Sequence, residues 1–315
     1  MTTVPKVDVV GVGLNATDIL IPLKNFPLSG SKVEISSANV MLGGQVASAM
    51  AACQNWGLRT RYVGKFGEDH FAGLHRAEFA RLKIETHLLT APGCPSQQAY
   101  ILVDHIGERT VLWKRDPGLI LLPEELQREW ILNAHVLHLD GHDTEAATLA
   151  AQWAREAGIP VVADLDELYP GVEQLLPKID FLITSRDIPE KLTSNPDLLH
   201  SLPEVFRRYR CRITAATLGA QGVLAWDGEQ FHYASAFQVK AVDTTGAGDT
   251  FHAAFIYGLR KSWPLQRQLD FACAAAALNC TALGARGGIQ RVEIIEDLIA
   301  TGDRYPAAFQ IPAPK

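Results

Sequence analysis

Several features that would define a class of function are missing from this sequence of 315 residues. No apolar run approaches the ~18 residues that a membrane-spanning helix requires. The N-terminus has no basic segment followed by an apolar run and a cleavage site, so we expect a cytoplasmic protein without a secretory signal. The five cysteines are odd in number and show no Cys-x-x-Cys spacing, which predicts reduced thiols.

Basic charge is also scarce. Lys and Arg number 29 against 35 Asp and Glu, which gives a formal net charge of −6. This balance argues against a nucleic-acid partner, because such a partner requires a surface that neutralises phosphates. Hydrophobic residues make up 47% and charged residues 20%, so the chain is too apolar to be disordered and is typical of a globular protein.

Three nucleotide-binding signatures are absent or incomplete. No Gly-x-x-x-x-Gly-Lys-[Ser/Thr] occurs, which excludes a P-loop enzyme, and no His-Arg-Asp loop occurs, which excludes a protein kinase. Gly11 to Ala16 fits the Gly-x-Gly-x-x-Ala dinucleotide fingerprint, and Glu34 lies near the expected acidic position. However, Pro22 and Pro27 exclude the helix that must follow this motif. We therefore favour another function over hydride transfer.

Strand-type and helix-type segments alternate along the chain. The pattern predicts strands at 7–12, 61–66, 135–139, 160–164, 179–184 and 212–217, and a hairpin at 223–233. It predicts helices at 46–56, 69–82, 143–157, 248–259, 265–283 and 293–301. Alternation of this kind implies a three-layer, doubly wound, mostly parallel α/β sheet in a single domain spanning 1–315.

Two segments, about 15–42 and 97–114, have strand character without crossover helices. The first includes a candidate strand at 33–37, and the second a candidate hairpin, 99–103 with 110–113. They do not fit the parallel sheet, so we expect a small β-sheet lid above it. An exposed strand edge on this lid would favour a homodimer formed through the lid.

The strongest motif is the segment 241–251, Ala-Val-Asp-Thr-Thr-Gly-Ala-Gly-Asp-Thr-Phe. Three small residues, Gly246, Ala247 and Gly248, precede an amphipathic helix, and backbone N–H groups in such a turn form an anion-binding nest at the helix N-terminus. Asp249 lies in the first turn, where its carboxylate can accept a hydroxyl proton. Phosphoryl transfer needs both elements, a cradle for the phosphate and a base for the attacking oxygen.

This segment resembles the C-terminal signature of the ribokinase-like, or PfkB, carbohydrate kinases, and the resemblance extends over nearly the whole chain. It implies an ATP-dependent kinase that transfers the γ-phosphate to a primary hydroxyl of a small sugar: a ketose, ribose or a derivative. Asp249 would be the general base, and the backbone of Gly246, Ala247 and Gly248 would form the anion hole. Magnesium-ATP would be the donor, and the acceptor a small-molecule sugar.

The resemblance also implies residues for the sugar. The segment 13–18 is similar to the family's opening strand, whose sugar-binding aspartate would be Asp18. The segment 43–48 is similar to its diglycine motif, so that Gly43, Gly44 and Ser48 would hold sugar hydroxyls. The segments 96–99, with Gln98, and 280–289 resemble the branch that contains sulfofructose kinase and ketohexokinase, which favours a ketose.

For the nucleotide, Thr217 to Gly222 resembles the family's Thr-x-Gly-x-x-Gly motif. Asn279 lies where the family packs the adenine. In several members K⁺ lies beside the anion hole, held by groups that match Asp243, Thr245 and the loop 280–288. The residues assigned to the cofactor on this basis are Thr217, Gly219, Gly222, Thr245 and Asn279. Residues 103–104 and 107–109 match the family's lid hairpin.

Two departures from the family pattern affect these assignments. Ser48 replaces a usual Asn, which shortens the sugar contact. The Asn-x-x-Glu motif that organises magnesium and phosphate aligns with 185–188, where Ser185 and Ile188 lack both polar ends. The candidates to compensate are Asp140, Asp164, Asp187 and Glu190. Asp164 and Asp243 are accordingly predicted to contact metal ions.

Two further groups of residues have more than one interpretation. His138, Asp140, His142 and Asp143 have metal-ligand chemistry, but a strand end with Asp143 at the helix N-cap is favoured over a metal cluster. Asp140 is kept as a substrate candidate because open α/β sheets bind ligands at the carboxyl ends of their strands. Arg115 is either part of a solvated turn or a contact for an anionic sugar group such as a phosphate or sulfonate.

Two alternative functions follow from the same residues. One is a nucleoside kinase on the same fold, which would turn over adenosine or cytidine faster than any sugar. The other is a non-catalytic sugar-binding sensor, which the loss of the Asn-x-x-Glu ends would allow. Neither alternative predicts a nucleic-acid or membrane partner.

Overall fold

The computed structural model describes residues 6–104 and 109–311. Its strands are β1 (Val7–Val12), β2 (Ala16–Pro22), β3 (Asn39–Gly43), β4 (Thr60–Phe66), β5 (Glu85–Thr90), β6 (Gln98–Val103), β7 (Arg109–Lys114), β8 (Ala134–Leu139), β9 (Val161–Leu165), β10 (Phe181–Ser185), β11 (Ile213–Thr217), β12 (Val223–Trp226) and β13 (Phe231–Ala234). Its α-helices are α1 (Gln45–Asn55), α2 (His70–Leu82), α3 (Arg128–Leu132), α4 (Thr144–Glu156), α5 (Val172–Leu175), α6 (Ile188–Thr193), α7 (Leu198–Tyr209), α8 (Ala247–Arg260), α9 (Leu265–Asn279) and α10 (Val292–Thr301).

The large sheet has nine strands in the order β13-β12-β11-β10-β9-β8-β1-β4-β5. The strands from β11 to β5 in this order are parallel, and β12 and β13 add an antiparallel hairpin at one edge. Side chains alternate between the two faces, as in β9, where Val162 packs on one core while Val161 and Ala163 pack on the other. The predicted doubly wound α/β fold is confirmed.

Helices cover both faces of this sheet. One core packs against α1, α2, α8, α9 and α10, and the other packs against α3, α4, α5 and α7. The parallel strands are apolar on both sides for this reason. None of the helices in residues 6–104 and 109–311 is both long and apolar enough to cross a membrane.

The predicted lid is a separate four-stranded sheet in the order β3-β2-β6-β7. The β2 and β6 strands are parallel, and β3 and β7 are antiparallel to their neighbours. A small apolar cluster of Leu20, Ala99, Ile101 and Val103 lies beneath it. Gly107 and Glu108 of the predicted hairpin lie outside the described residues.

Some predicted elements are wrong in place or extent. The predicted strand at 33–37 is exposed coil, because β2 pairs instead with residues 39–43. The helix predicted to reach 283 ends at Asn279, where the chain turns into the loop that packs on residues 243–246. The α7 helix was not predicted, and it contains Pro203 in its interior.

Candidate active site

Two cavities open at the carboxyl ends of the parallel strands, where open α/β sheets bind ligands. The acidic cavity, of about 390 Å³, lies between the sheet and the lid; four carboxylates line it, those of Asp18, Asp164, Asp166 and Asp249. The apolar cavity, of about 240 Å³, lies beside α9 and β11. Thr217 and Gly248 line both cavities, so the predicted anion-binding segment stands at their junction.

We call residues Thr244 to Gly248 the anion loop. Gly246 precedes α8 with φ of 75°, a left-handed conformation, and a Cβ on Gly246 would lie 2.3 Å from the carbonyl oxygen of Ala285. Only glycine fits this position. The N–H of Ala247 donates to the carbonyl oxygen of Thr244 at 3.3 Å. The N–H groups that follow it have no partner within the helix, and the helix dipole favours negative charge at this end. The loop between the cavities therefore has the backbone geometry that an anion site requires.

Asp249 projects from the first turn of α8 into the acidic cavity. Burial raises the pKa of Asp249 to about 6, and the charges of Asp166 and Asp140 act in the same direction, while Arg109 and Arg286 oppose the rise. Its carboxyl group therefore remains ionised at neutral pH and basic enough to accept a proton.

Asp18, on β2, faces Asp249 across the acidic cavity and is 4% exposed. Burial raises the pKa of Asp18 to about 7, and the charge of Asp249 adds to the rise. A Cβ on Gly43 would lie 2.1 Å from Oδ2 of Asp18, so this glycine leaves the space that the carboxylate fills. Gly44 also lines the cavity. The diglycine turn and the aspartate thus form one wall.

Asp164 and Asp166 also line the acidic cavity, at the end of β9. Burial raises the pKa of Asp164 well above its ordinary value, and the charge of Asp249 raises it further. Nδ1 of His252 lies 3.3 Å from Oδ2 of Asp164 and 2.8 Å from the carbonyl oxygen of Gly248. Among the described residues, no group of three or more His, Cys, Asp or Glu is arranged to hold a metal ion.

The apolar cavity contains the predicted residues Thr217, Gly219 and Gly222. Its other walls are mostly small or aromatic: Ala220, Ala236, Phe237, Ala241, Phe251, Ala276 and Ala277. Asn279 does not line it. The side chain of Asn279 is fully buried, and Nδ2 donates to the carbonyl oxygens of Thr245 and Ala285 at 3.1 and 3.3 Å. The direct adenine contact expected for Asn279 is therefore replaced by support of the anion loop.

Asp243 is also a support of this loop. Its Oδ1 accepts from the N–H of Thr245 at 2.9 Å, and its Oδ2 accepts from the N–H of Gly284 at 2.8 Å. Thr245 itself lines the acidic cavity rather than the apolar one. In the described part of the chain, Oγ1 of Thr245 and Oδ1 of Asn279 are buried without a hydrogen-bond partner.

Arg115 lies away from both cavities. Its Nη2 donates to Oδ2 of Asp143 at 2.7 Å and to the carbonyl oxygen of Leu119 at 3.0 Å. Asp143 stands at the N-cap of α4 as predicted, but its side chain makes this ion pair instead of a cap hydrogen bond. The predicted contact between Arg115 and an anionic sugar group is not supported, because the guanidinium group already has a carboxylate partner.

Four other predicted substrate residues do not line the acidic cavity: Gly43, Ser48, Gln98 and Asp140. Both oxygens of Asp140 accept backbone hydrogen bonds, from Leu14 at 2.5 Å and His142 at 3.1 Å, so Asp140 supports the loop after β1. Ser48 is buried and accepts from Nε of Arg286 at 3.2 Å. Gln98 lies on the other face of β6, and its neighbour Gln97 lines the cavity instead.

Several residues that line the acidic cavity were assigned no substrate role from the sequence. Gln97, Ala99 and Ile101 line the cavity in the period of two that a strand predicts, which was the available signal. Nε2 of His142 lies 2.8 Å from the hydroxyl of Tyr169, and both line the outer part of the cavity with Trp113 of the lid. Asp187 was one of the residues expected to compensate for the missing Asn-x-x-Glu motif. It forms an ion pair with Lys191.

A nine-stranded sheet with a small lid, and an acid beside an anion loop at the junction of two cavities, define the class of ribokinase-like phosphotransferases. The sequence profile of the pfkB family carbohydrate kinases matches residues 6–291, and the chain belongs to this family. It is a carbohydrate kinase, which removes the non-catalytic sensor from the alternatives.

Known proteins resemble the chain over most of its length. An ATP-dependent ribose-1-phosphate kinase of Halopiger xanaduensis is 29% identical, covering 85% of this chain and 90% of its own. A Staphylococcus aureus ribokinase is 24% identical, and the match covers 92% of this chain and 99% of that ribokinase.

Solved structures share the fold. Arabidopsis thaliana ribokinase, complexed with ribose and ATP, is 23% identical with a TM-score of 0.81, covering 94% of this chain and 99% of its own. An Escherichia coli protein classed as a ribokinase II, in complex with ATP and Mg²⁺, is 18% identical with a TM-score of 0.82, covering 93% and 99%. At these identities the likeness concerns the fold alone.

Proposed function

We propose that this kinase transfers the γ-phosphate of ATP to a primary hydroxyl of a small, uncharged sugar, with Asp249 as the general base. The observation that carries the proposal is the position of the anion loop and Asp249 at the junction of the acidic and apolar cavities. A phosphate at this junction is accessible from both sides, so a donor in one cavity and an acceptor in the other meet there.

The apolar cavity suits the base and ribose of the nucleotide. Its alanines and the rings of Phe237 and Phe251 offer flat contact surfaces with few polar groups. The triphosphate would extend past Thr217 to the anion loop, where the first N–H groups of α8 and the helix dipole stabilise the charge of the transferred group. This arrangement assigns the Thr217 to Gly222 turn to the donor side.

Asp249 takes the proton from the acceptor hydroxyl as that oxygen attacks the phosphorus atom. With a pKa of about 6, the carboxylate is ionised above this pH and still a better base than an exposed aspartate. Lid residues Val111 and Trp113 cover the cavity on the opposite side. Both side chains are exposed in this structure, and closure of the lid over a bound sugar would let them exclude water, which otherwise competes as phosphate acceptor.

The acidic cavity suits a magnesium ion that accompanies ATP. Asp164 and Asp166 are hard oxygen donors at the end of β9, and Mg²⁺ is commonly held by one or two carboxylates together with substrate phosphates. The bound ion would supply positive charge to neutralise the phosphate oxygens. A potassium ion fits beside the anion loop, because Oγ1 of Thr245 and Oδ1 of Asn279 are oxygen atoms without partners close to Asp243.

The charges of the acidic cavity favour an uncharged acceptor. Four carboxylates line it against one arginine, Arg109. Arg115 is bound to Asp143 and is not free to receive a phosphate or sulfonate. Asp18 and the Gly44 turn would hold sugar hydroxyls by hydrogen bonds. The preference for a ketose over ribose stays a prediction from the resemblance.

A nucleoside is the second candidate acceptor. Trp113, His142 and Tyr169 line the outer part of the acidic cavity, and aromatic rings of this kind stack on bases. The test is an assay of ADP release with a panel of acceptors: ribose, fructose, other ketoses, a sugar phosphate, adenosine and cytidine. We expect the highest kcat/KM with an uncharged sugar. Faster turnover of a nucleoside would replace the proposal, and no turnover with any acceptor would refute it.

We also propose that the protein is a homodimer in which two lids pair. All residues of β7 are exposed at the edge of the lid sheet, and Val40, Tyr100 and Leu112 add exposed apolar side chains to the lid. Light scattering after gel filtration tests this, with Leu112→Lys expected to shift the protein to the monomer. A wild-type monomer at micromolar concentration would refute it.

A further inference from the structure

Arg286 connects two parts of the proposed active site. One is the Gly43–Gly44 turn, on the side of the sugar acceptor, and the other is the anion loop, on the side of the transferred phosphate. It follows α9, in the loop 284–288. Its Nη2 donates to the carbonyl oxygen of Gly43 at 2.9 Å, and its Nε donates to Oγ of Ser48 at 3.2 Å. The guanidinium group lies 5.8 Å from the centre of the Phe79 ring. Arg286 thus holds the first residue of the diglycine turn and the helix that follows it.

Arg286 is half-buried, and its guanidinium group makes few contacts with polar groups of the described residues. Among the described residues, its polar contacts are Gly43 and Ser48, and no carboxylate forms an ion pair with it. Its Nη1 is shielded from solvent and has no hydrogen-bond partner. A charge held in this way costs folding free energy. Stability alone is therefore a poor explanation of Arg286, and its two hydrogen bonds indicate what it positions.

The same loop is in close contact with the anion loop on its other side. The carbonyl oxygen of Ala285 lies against Gly246, at 2.3 Å from the position a Cβ would take. Nδ2 of Asn279 bridges the carbonyl oxygens of Thr245 and Ala285. A rigid connection therefore runs from the anion loop through residues 285 and 286 to the carbonyl group of Gly43.

We propose that Arg286 is a positioning residue that fixes the Gly43–Gly44 turn relative to the anion loop, and thereby aligns the acceptor hydroxyl with the transferred phosphate. This inference rests on the proposed sugar kinase function. The reacting atoms must approach to ~3–3.5 Å, and a misplacement of ~1 Å can cost about 10²-fold in rate. Loss of the hydrogen bond to Gly43 would let the acceptor wall move away from the phosphate.

The test compares Arg286→Met and Arg286→Lys with the wild-type enzyme. Methionine keeps an apolar stem over Phe79 and removes every donor, whereas lysine keeps the charge and a single donor atom. For Arg286→Met we expect kcat to fall about 10- to 100-fold and the KM for the sugar to rise. The KM for ATP should stay within about twofold, because Arg286 contacts nothing in the apolar cavity. Arg286→Lys should recover part of kcat.

A matched control is Arg267→Met. Arg267 also stacks on an aromatic ring, that of Trp263, and pairs with Glu296 at the surface. The Arg267→Met variant should have a slightly lower Tm, and its kcat and both KM values should be unchanged. Should Arg286→Met fail to fold, Arg286→Lys decides alone, with circular dichroism and Tm to confirm its fold.

A purely structural role predicts a different result. In that case Tm falls, while kcat and the sugar KM of the folded variants remain within about twofold of the wild type at temperatures well below Tm. This outcome would overturn the inference and leave the proposed function intact. Absence of sugar turnover by the wild-type enzyme would instead refute the proposed function.

Discussion

The two cavities that meet at the anion loop differ in almost every physical property. The acidic cavity contains four carboxylates, three of which have a raised pKa, under a lid of apolar side chains. The apolar cavity is lined mostly by alanines and aromatic rings. A polyhydroxylated ligand needs directional hydrogen bonds, whereas a flat heteroaromatic ring needs contact area. This contrast is the reason for proposing that the sugar binds in the acidic cavity and the nucleotide in the apolar cavity.

The largest expected effect on kcat comes from replacing Asp249, at the junction of the acidic and apolar cavities. Asp249→Asn removes the proton acceptor and keeps the shape, so we expect kcat to fall by about 10²–10⁴. ATP should still bind, which thermal stabilisation by ATP can check. A variant with near wild-type turnover would show that another group takes the proton.

Asp18→Asn tests the proposed binding of the sugar in the acidic cavity. It replaces a charged acceptor of hydrogen bonds by a neutral amide, so the KM for the sugar should rise about 10- to 100-fold while the KM for ATP stays unchanged. Steady-state kinetics with each substrate varied in turn measures both constants. An equal rise in both would mean that the two cavities are not independent.

The same variant should be more stable than the wild-type protein at alkaline pH. The pKa of Asp18 is about 7, above its value in an unfolded chain, so the folded state binds the proton more tightly. The stability linked to this proton is present at low pH and is lost as the pH rises through about 7. At pH 8, Asp18→Asn should therefore raise Tm, and the gain should vanish near pH 4. A Tm difference that does not depend on pH would contradict the assigned pKa.

Ala276→Phe tests the apolar side. Ala276 lines the apolar cavity from α9, and a phenyl ring there would occupy space assigned to the nucleotide. We expect the KM for ATP to rise about tenfold, a change of ~1.4 kcal/mol in binding, with the KM for the sugar unchanged. If the sugar KM changed instead, the assignment of the two cavities would have to be exchanged.

The smallest kinetic effect is expected for Arg115→Met. Since Arg115 pairs with Asp143 away from both cavities, the kinetic constants should remain within about twofold of the wild type. The free energy of unfolding should fall by about 1–3 kcal/mol, because Asp143 loses its charged partner in a nearly buried position. A large rise in the sugar KM would restore Arg115 as a substrate contact.

Local patterns in the sequence were sufficient for the parts of the site that are built from consecutive residues. The predicted anion loop and Asp249 follow from small residues placed between a strand and a helix. The Thr217 turn, which lies between β11 and β12, was predicted only from the resemblance to the family. The lid followed from strand-type segments that lacked crossover helices. Its edge strand β3 was placed wrongly at 33–37, because β-type composition does not show which segment finds a partner in β2.

Side-chain direction and distant pairing could not be predicted in the same way. Gln98 and Gln97 differ only by one position in β6, and the register of the strand decides which of them faces the cavity. For Arg115 the sequence left a solvated turn and a sugar contact open, and Arg286 was given no role. The partners of these two arginines, Asp143 and Gly43, are remote in sequence. Asn279 matched a family position, but its burial under the anion loop depends on the turn that ends α9.

The order of strands in the large sheet has a consequence for synthesis of the protein. β1 lies between β4 and β8, and Asp18 faces an aspartate located 231 positions further along the chain. A nascent polypeptide leaving the ribosome therefore carries the lid and Asp18 long before Asp249 and the anion loop are synthesised. Chain contacts this distant are slow to form, so we expect phosphorylation competence to arise only after the segment that carries Asp249 and the loop 284–288 has been synthesised.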